Sequence, residues 1–98
     1  MQSITVTAYL WVHPGKRAEF DAFEEQAFAI MREHGAKIIE IRTGDPAQQD
    51  RPDEIHVLRF PSQHAFDCYR ADARLTELAT LRDQSIAKTE IKITSEAD

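Results

Sequence analysis

The segment Ser3-Ile4-Thr5-Val6-Thr7-Ala8-Tyr9-Leu10-Trp11-Val12-His13 carries two patterns at once. Its even positions, Ile4, Val6, Ala8, Leu10 and Val12, are all apolar. That period of two is the mark of a strand with one face on a core. Its odd positions set Tyr9 and Trp11 among Ser3, Thr5, Thr7 and His13. A strand whose second face met only water would read polar there. This one does not, so its second face is expected to be covered. Pro14-Gly15 then end the strand, since proline cannot donate to a ladder and glycine permits the turn.

Working outward, apolar residues Phe20, Phe23, Ala27, Ile30 and Met31 recur at helical spacing and predict a helix over about 16–34. Glu19, Glu24, Glu25 and Arg32 are assigned to or near its other face. Arg32-Glu33-His34-Gly35 supplies a basic last turn and a glycine for the left-handed position beyond it. A second strand is expected over about 36–43. Residues 44–53 form a turn-rich loop, and a third strand follows over 54–60, so the two strands read as a hairpin. Ser62 is placed to cap a helix reaching Tyr69 or Arg70. Leu75, Leu78, Ala79, Leu81 and Arg82 predict a further helical piece over about 73–85. The last strand is expected over about 86–94, where Thr89, Ile91 and Ile93 alternate with Lys88, Glu90 and Lys92, before a polar tail at 95–98.

The order β-α-β-β-α-β predicts an α+β, ferredoxin-like sandwich: a four-stranded antiparallel sheet with both helices on one face, as a single domain over residues 1–98. The third strand is two-sided as well, with Ile55 and Val57 against Leu58 and Phe60. Apolar patches of this kind mark interfaces. The expected cover for the Tyr9–Trp11 face is a second copy in a two-fold homodimer.

Composition narrows the function. Seventeen acidic against 12 basic residues give a net charge of −5. This excludes the basic stripe of a nucleic-acid binder, and the third strand lacks the basic-glycine-aromatic signature of RNA-recognition motifs that share the topology. No apolar run approaches a membrane span and the amino-terminal residues do not read as a signal peptide, so a cytoplasmic protein is expected. The single cysteine, Cys68, allows no internal disulfide. Histidines 13, 34, 56 and 64 lack metal-ligand spacing, so no metal site and no cofactor are expected.

Phe60-Pro61-Ser62, followed by Phe66, Tyr69, Leu78 and Arg82 behind the strand-helix-hairpin front half, resembles the domain-of-unknown-function 1330 family of the dimeric α+β barrel superfamily. The resemblance covers most of the domain. It implies a ferredoxin-like monomer whose sheet pairs with a second to form a barrel, and it implies no activity. Cys68 stands where that family often has tryptophan, and Ala71-Asp72-Ala73-Arg74 replaces its usual Ser-Pro-Glu-Tyr. Haem-degrading members of the superfamily share an Asn-Trp-His set. This chain has no asparagine, and its sole tryptophan is Trp11, so that activity does not carry over.

Tyr69 and Arg82 are the leading ligand-binding candidates. A phenol donates and accepts, and a guanidinium offers a fixed fork to a carboxylate or enolate. The competing reading makes Tyr69 a core residue and Arg82 a tie to the chain ends. His56 is a further candidate, and its plainer reading is a cross-strand partner. Trp11 could line a pocket, although its place on the sheet favours a dimer contact. His64 and Cys68 lie one helical turn apart, and no third group to orient them for nucleophilic chemistry can be identified. The resulting expectation is a homodimer with a small-molecule pocket between sheet and helices. The alternative is a cofactor-independent monooxygenase or isomerase acting on a small aromatic or activated carbonyl compound.

Overall fold

The computed structural model describes residues 2–95. Its elements are β1 (Ile4–Val12), α1 (Arg17–Glu33), β2 (Lys37–Arg42), β3 (Glu54–Phe60), α2 (Gln63–Arg70), α3 (Ala73–Glu77), α4 (Ala79–Ser85) and β4 (Ile86–Ser95). The four strands form one antiparallel sheet in the order β2-β3-β1-β4. This is the ferredoxin-like α+β arrangement. Two boundaries differ from the sequence reading. The last helical region is broken at Leu78, which ends α3 and precedes α4. The polar tail expected at 95–98 begins with the last residue of β4, and its other residues lie outside the described range.

Local chemistry accounts for the element ends. The Ala65 backbone N–H donates to Ser62 Oγ at 3.0 Å and caps α2. The Arg74 N–H donates to Asp72 Oδ1 at 2.9 Å and caps α3. Gly35 follows α1 at φ +84°, the left-handed position that stops a helix. At Gly44 a side chain would run into the Pro52 carbonyl oxygen, so the two ends of the β2–β3 loop approach only because that residue is glycine.

Directly opposed residues of antiparallel strands share a face. Register therefore puts Ile4, Val6, Ala8 and Leu10 beside Phe60, Leu58, His56 and Glu54 on the helix side. The buried core lies there in two clusters. One joins Ile4, Val6 and Phe60 to Phe66 and Tyr69, and the other joins Leu10 to Phe20, Phe23, Ala27 and Ile86.

Tyr9 and Trp11 lie on the opposite face, as expected, yet they are half-buried rather than bare. The β4 register sets Lys88 opposite Trp11 and Lys92 diagonal to Tyr9. Their ammonium groups stand over the rings, 4.6 and 5.6 Å from the centroids, where a cation is attracted to the π face. The large hydrophobic side chains most open to solvent are instead Ile39, Ile41, Ile91 and Ile93, on the two edge strands.

Candidate functional site

A cavity of about 390 Å³ opens between the helices and the sheet. Its floor lies where β1 carries Ala8 beside His56 of β3. A small residue at that point leaves room that Val6 and Leu10 fill on either side. The walls are mainly apolar and draw on both core clusters, with Phe23, Ala27 and Met31 from α1 and Phe66 from α2. Arg82, Thr89 and the exposed Ile91 also line it, on α4 and the edge strand β4. A broader hollow on residues 46–53 is walled by exposed loop residues and carries no buried polar side chain.

Three of the four residues singled out from sequence, His56, Tyr69 and Arg82, line this one cavity. Trp11 does not, because the strand alternation puts it on the other face of the sheet. There its indole Nε1–H donates to the Asp50 carbonyl at 3.0 Å and ties the β2–β3 loop to β1. Tyr69 is buried, with its ring 5.8 Å from that of Phe60. Burial, with the Glu24 carboxylate nearby, pushes its phenol well above the ordinary tyrosine value. It is therefore a hydrogen-bond donor and not a phenolate. Arg82 is half-exposed, its Nη2 donating to Thr89 Oγ1 at 3.3 Å and its Nη1 lying 3.7 Å from Asp83.

His56 is buried to 2% exposure. Its Nε2 lies 2.7 Å from Glu54 Oε1, and Glu54 also pairs with Arg17. A carboxylate held by a guanidinium is an acceptor, so Nε2 is assigned as the protonated nitrogen. Nδ1 then faces Glu24 Oε2 across 3.4 Å, longer than a good hydrogen bond.

Glu24 is the cavity residue missing from the sequence reading, which assigned it to or near the charged side of α1. It is buried to 9% exposure and stands on the core stripe with Phe20, Phe23 and Ala27. Burial, followed by the Glu54 and Asp21 carboxylates, pushes its carboxyl up to about 8, while Arg17 and Arg82 oppose the rise. Its spacing from Phe20, Ala27 and Met31 is the signal that would have found it.

His34 contacts Asp72 at 2.8 Å, and His64 lies 3.4 Å from Cys68 Sγ; none of these side chains lines the cavity. Among the described residues, no group of three or more His, Cys, Asp or Glu side chains is placed to hold a metal ion. Among the described residues no helix is long and apolar enough to cross a membrane.

The sequence matches no protein-family model and no curated protein, so membership of the domain-of-unknown-function 1330 family is not shown. Solved structures match over the whole domain. A dabb family protein with a ferredoxin-like fold from Mesorhizobium loti is 16% identical, with a TM-score of 0.74 and all of both chains covered. SnoaB, a cofactor-independent oxygenase from Streptomyces nogalater, is 15% identical at a TM-score of 0.73, covering 100% of this chain and 96% of that one. A dimeric protein of unknown function with a ferredoxin-like fold from Bacteroides fragilis is 9% identical at 0.72, covering 96% of each chain. Likeness at these identities establishes the fold.

Proposed function

We propose that this chain binds a small organic molecule in the cavity between the sheet and the helices. The observation that carries this reading is the convergence of Tyr69, Arg82 and His56 on one mainly apolar cavity of about 390 Å³. Apolar walls with a few converging polar groups are the usual make-up of a small-molecule site, and this volume lies within their range. The phenol donates, the guanidinium selects an anionic or strongly polarised oxygen, and the walls take an aromatic or aliphatic body.

The molecule acts as a homodimer. This is supported by the apolar content of both faces of β1 and β3 and by the dimeric Bacteroides fragilis neighbour. Light scattering at micromolar concentration is expected to return twice the 11.2 kDa chain mass, and a monomer would remove this part of the reading.

The test of the site is a calorimetric and thermal-shift screen of small aromatic acids and enolisable ketones. Arg82→Ala is expected to weaken a hit about tenfold, the worth of one charge-assisted hydrogen bond, with the fold intact. Unfolding of that variant would instead give Arg82 a structural role.

Catalysis on the bound molecule is the second reading, an isomerase or a cofactor-independent monooxygenase. It is favoured by a buried carboxyl raised to about 8 at the cavity wall, since groups tuned toward neutrality suit general acid–base work. SnoaB supports the oxygenase form by likeness of fold alone. Oxygen uptake with quinols and dihydroxyaromatics tests that form, and none across the panel counts against it.

A further inference from the structure

The binding reading leaves unexplained why a carboxyl is buried on the core stripe of α1. Glutamine would fill nearly the same space without the cost of burying an ionisable group. Glu24 also faces a histidine whose far nitrogen is already committed. The order Arg17, Glu54, His56, Glu24 runs inward from an exposed guanidinium to the cavity wall.

We propose that Glu24 and His56 are a proton-transferring pair acting on a carbon acid bound in the cavity, with Glu54 and Arg17 as positioning residues and Arg82 holding the oxygen of the resulting enolate. The proposal rests on the binding reading of the cavity. The substrate class is an enolisable carbonyl compound, a ketone or lactone whose C–H is acidified by the neighbouring carbonyl.

The proton accounting closes without a co-reactant. With His56 Nε2–H donating to Glu54, the neutral imidazole presents its Nδ1 lone pair to Glu24. At rest the carboxyl of Glu24 holds the proton that the two groups share. Passing it to Nδ1 leaves a carboxylate at the cavity wall and an imidazolium facing the Glu54 carboxylate. The carboxylate takes a proton from the α-carbon, and the C–H electron pair moves into the enolate, whose oxygen meets Arg82. Glu24 then delivers a proton to a conjugated carbon, giving isomerisation, or, once its proton has exchanged with solvent, delivers a solvent-derived one to the same carbon, giving exchange. Nδ1 then hands its proton back to Glu24 and restores the resting pair. The 3.4 Å separation must shorten by a few tenths of an ångström for the transfer, as catalytic contacts commonly do when substrate binds.

The surroundings of Glu24 suit this cycle. On α1 it has Arg17 and Asp21, on β3 Glu54 and His56, on α2 Tyr69 and on α4 Arg82. Burial and the two carboxylates keep its proton on, to about 8, and the two arginines keep ionisation within reach near neutral pH.

Two probes separate the proposal from its premise. The first is binding of 2-naphthol, a planar mimic of an enol, followed by its own fluorescence. The second is deuterium uptake from D₂O into 2-indanone, followed by proton NMR. Expected are saturable naphthol binding, exchange above the buffer rate, and at least a hundredfold loss of exchange in Glu24→Gln with naphthol binding retained. In the wild type the transfer to His56 sets a pH-independent exchange rate below neutrality. The rate should rise toward an inflection near 8 as Glu24 loses its proton to solvent and the carboxylate forms without that transfer. Glu54→Gln should lower that inflection, because the Glu54 charge helps to hold the proton on Glu24. An inflection left unmoved would overturn the electrostatic coupling of Glu54 to Glu24. Binding without exchange, or exchange undiminished in Glu24→Gln, overturns the proton-transfer proposal and leaves the binding site standing. Absence of naphthol binding overturns both.

Discussion

His34 and His56 each hold a carboxylate, at 2.8 and 2.7 Å, and their surroundings differ in almost every other respect. His34 caps the C-terminal end of α1 and meets Asp72, the N-cap of α3. Arg74 closes that group by bridging Asp72 and Glu33, at 2.9 and 2.7 Å, with Glu33 and Arg74 largely exposed. Hydrogen bonds from Arg74 and then from His34 hold the Asp72 carboxyl well below the usual carboxylate range. His56 lies in the core with a second carboxyl, Glu24, which burial pushes up instead. The first cluster is a clasp between helix ends. The second stores a proton beside a cavity. Direct hydrogen bonds, led by those of Arg74, keep Asp72 ionised, whereas burial is the largest influence on Glu24 and keeps its proton on.

The widest predicted difference is in stability. His56→Ala leaves a hole in the core and takes the hydrogen-bond donor from the Glu54 carboxylate, at a cost of about 3–5 kcal/mol. A large drop in the urea midpoint is expected. His34→Ala should produce a clearly smaller drop, since the His34 side chain is 23% exposed against 2% for His56 and Asp72 keeps its Arg74 bonds. Equal drops would break the comparison.

The two acids should next give opposite pH dependence. Glu24 titrates higher in the folded state than its unfolded value of 4.5, so the folded chain keeps a proton that the unfolded chain releases. Its contribution is therefore whole below 4.5 and is lost as pH rises toward 8. Relative to Glu24→Gln, which cancels the titration of every other group, the wild type should lose up to about 5 kcal/mol across that window. Equilibrium unfolding at a series of pH values measures it, and parallel curves for the two proteins would refute it.

The smallest effect belongs to Asp72. Its depressed folded value means that its contribution is present above 3.8 and fades as pH falls below it. Asp72→Asn retains a side chain able to cap α3. Its melting temperature should lie modestly below that of the wild type at neutral pH and converge with it in acid. Added salt should narrow the neutral gap, because the Arg74–Glu33 side of this cluster is exposed. A gap that salt leaves unchanged would place Asp72 with the buried class.

Much of the architecture was legible in local pattern. Alternation located β1, Ser62 announced the start of α2, and Gly35 marked the end of α1. The face of Glu24 was misjudged because its charge outweighed its position on the line through Phe20, Ala27 and Met31. The break at Leu78 was missed because the leucines of α3 and α4 keep a helical spacing across it. The apolar character expected at Tyr9 and Trp11 is softened by two lysines that only the β4 register brings over the rings.

By itself, the sequence determined the order of the elements, the core face of β1 and the apolar content of both faces of β1 and β3. These follow from periods of two and of about 3.6, which any short window displays. Tertiary structure alone decided that Glu24 of one helix meets His56 of a strand far along the chain, beside Tyr69 and Arg82. Which turn of α1 lies over which residue of β3 depends on packing across the whole sheet. Ala8 opens a cavity only because larger neighbours hold the layers apart around it.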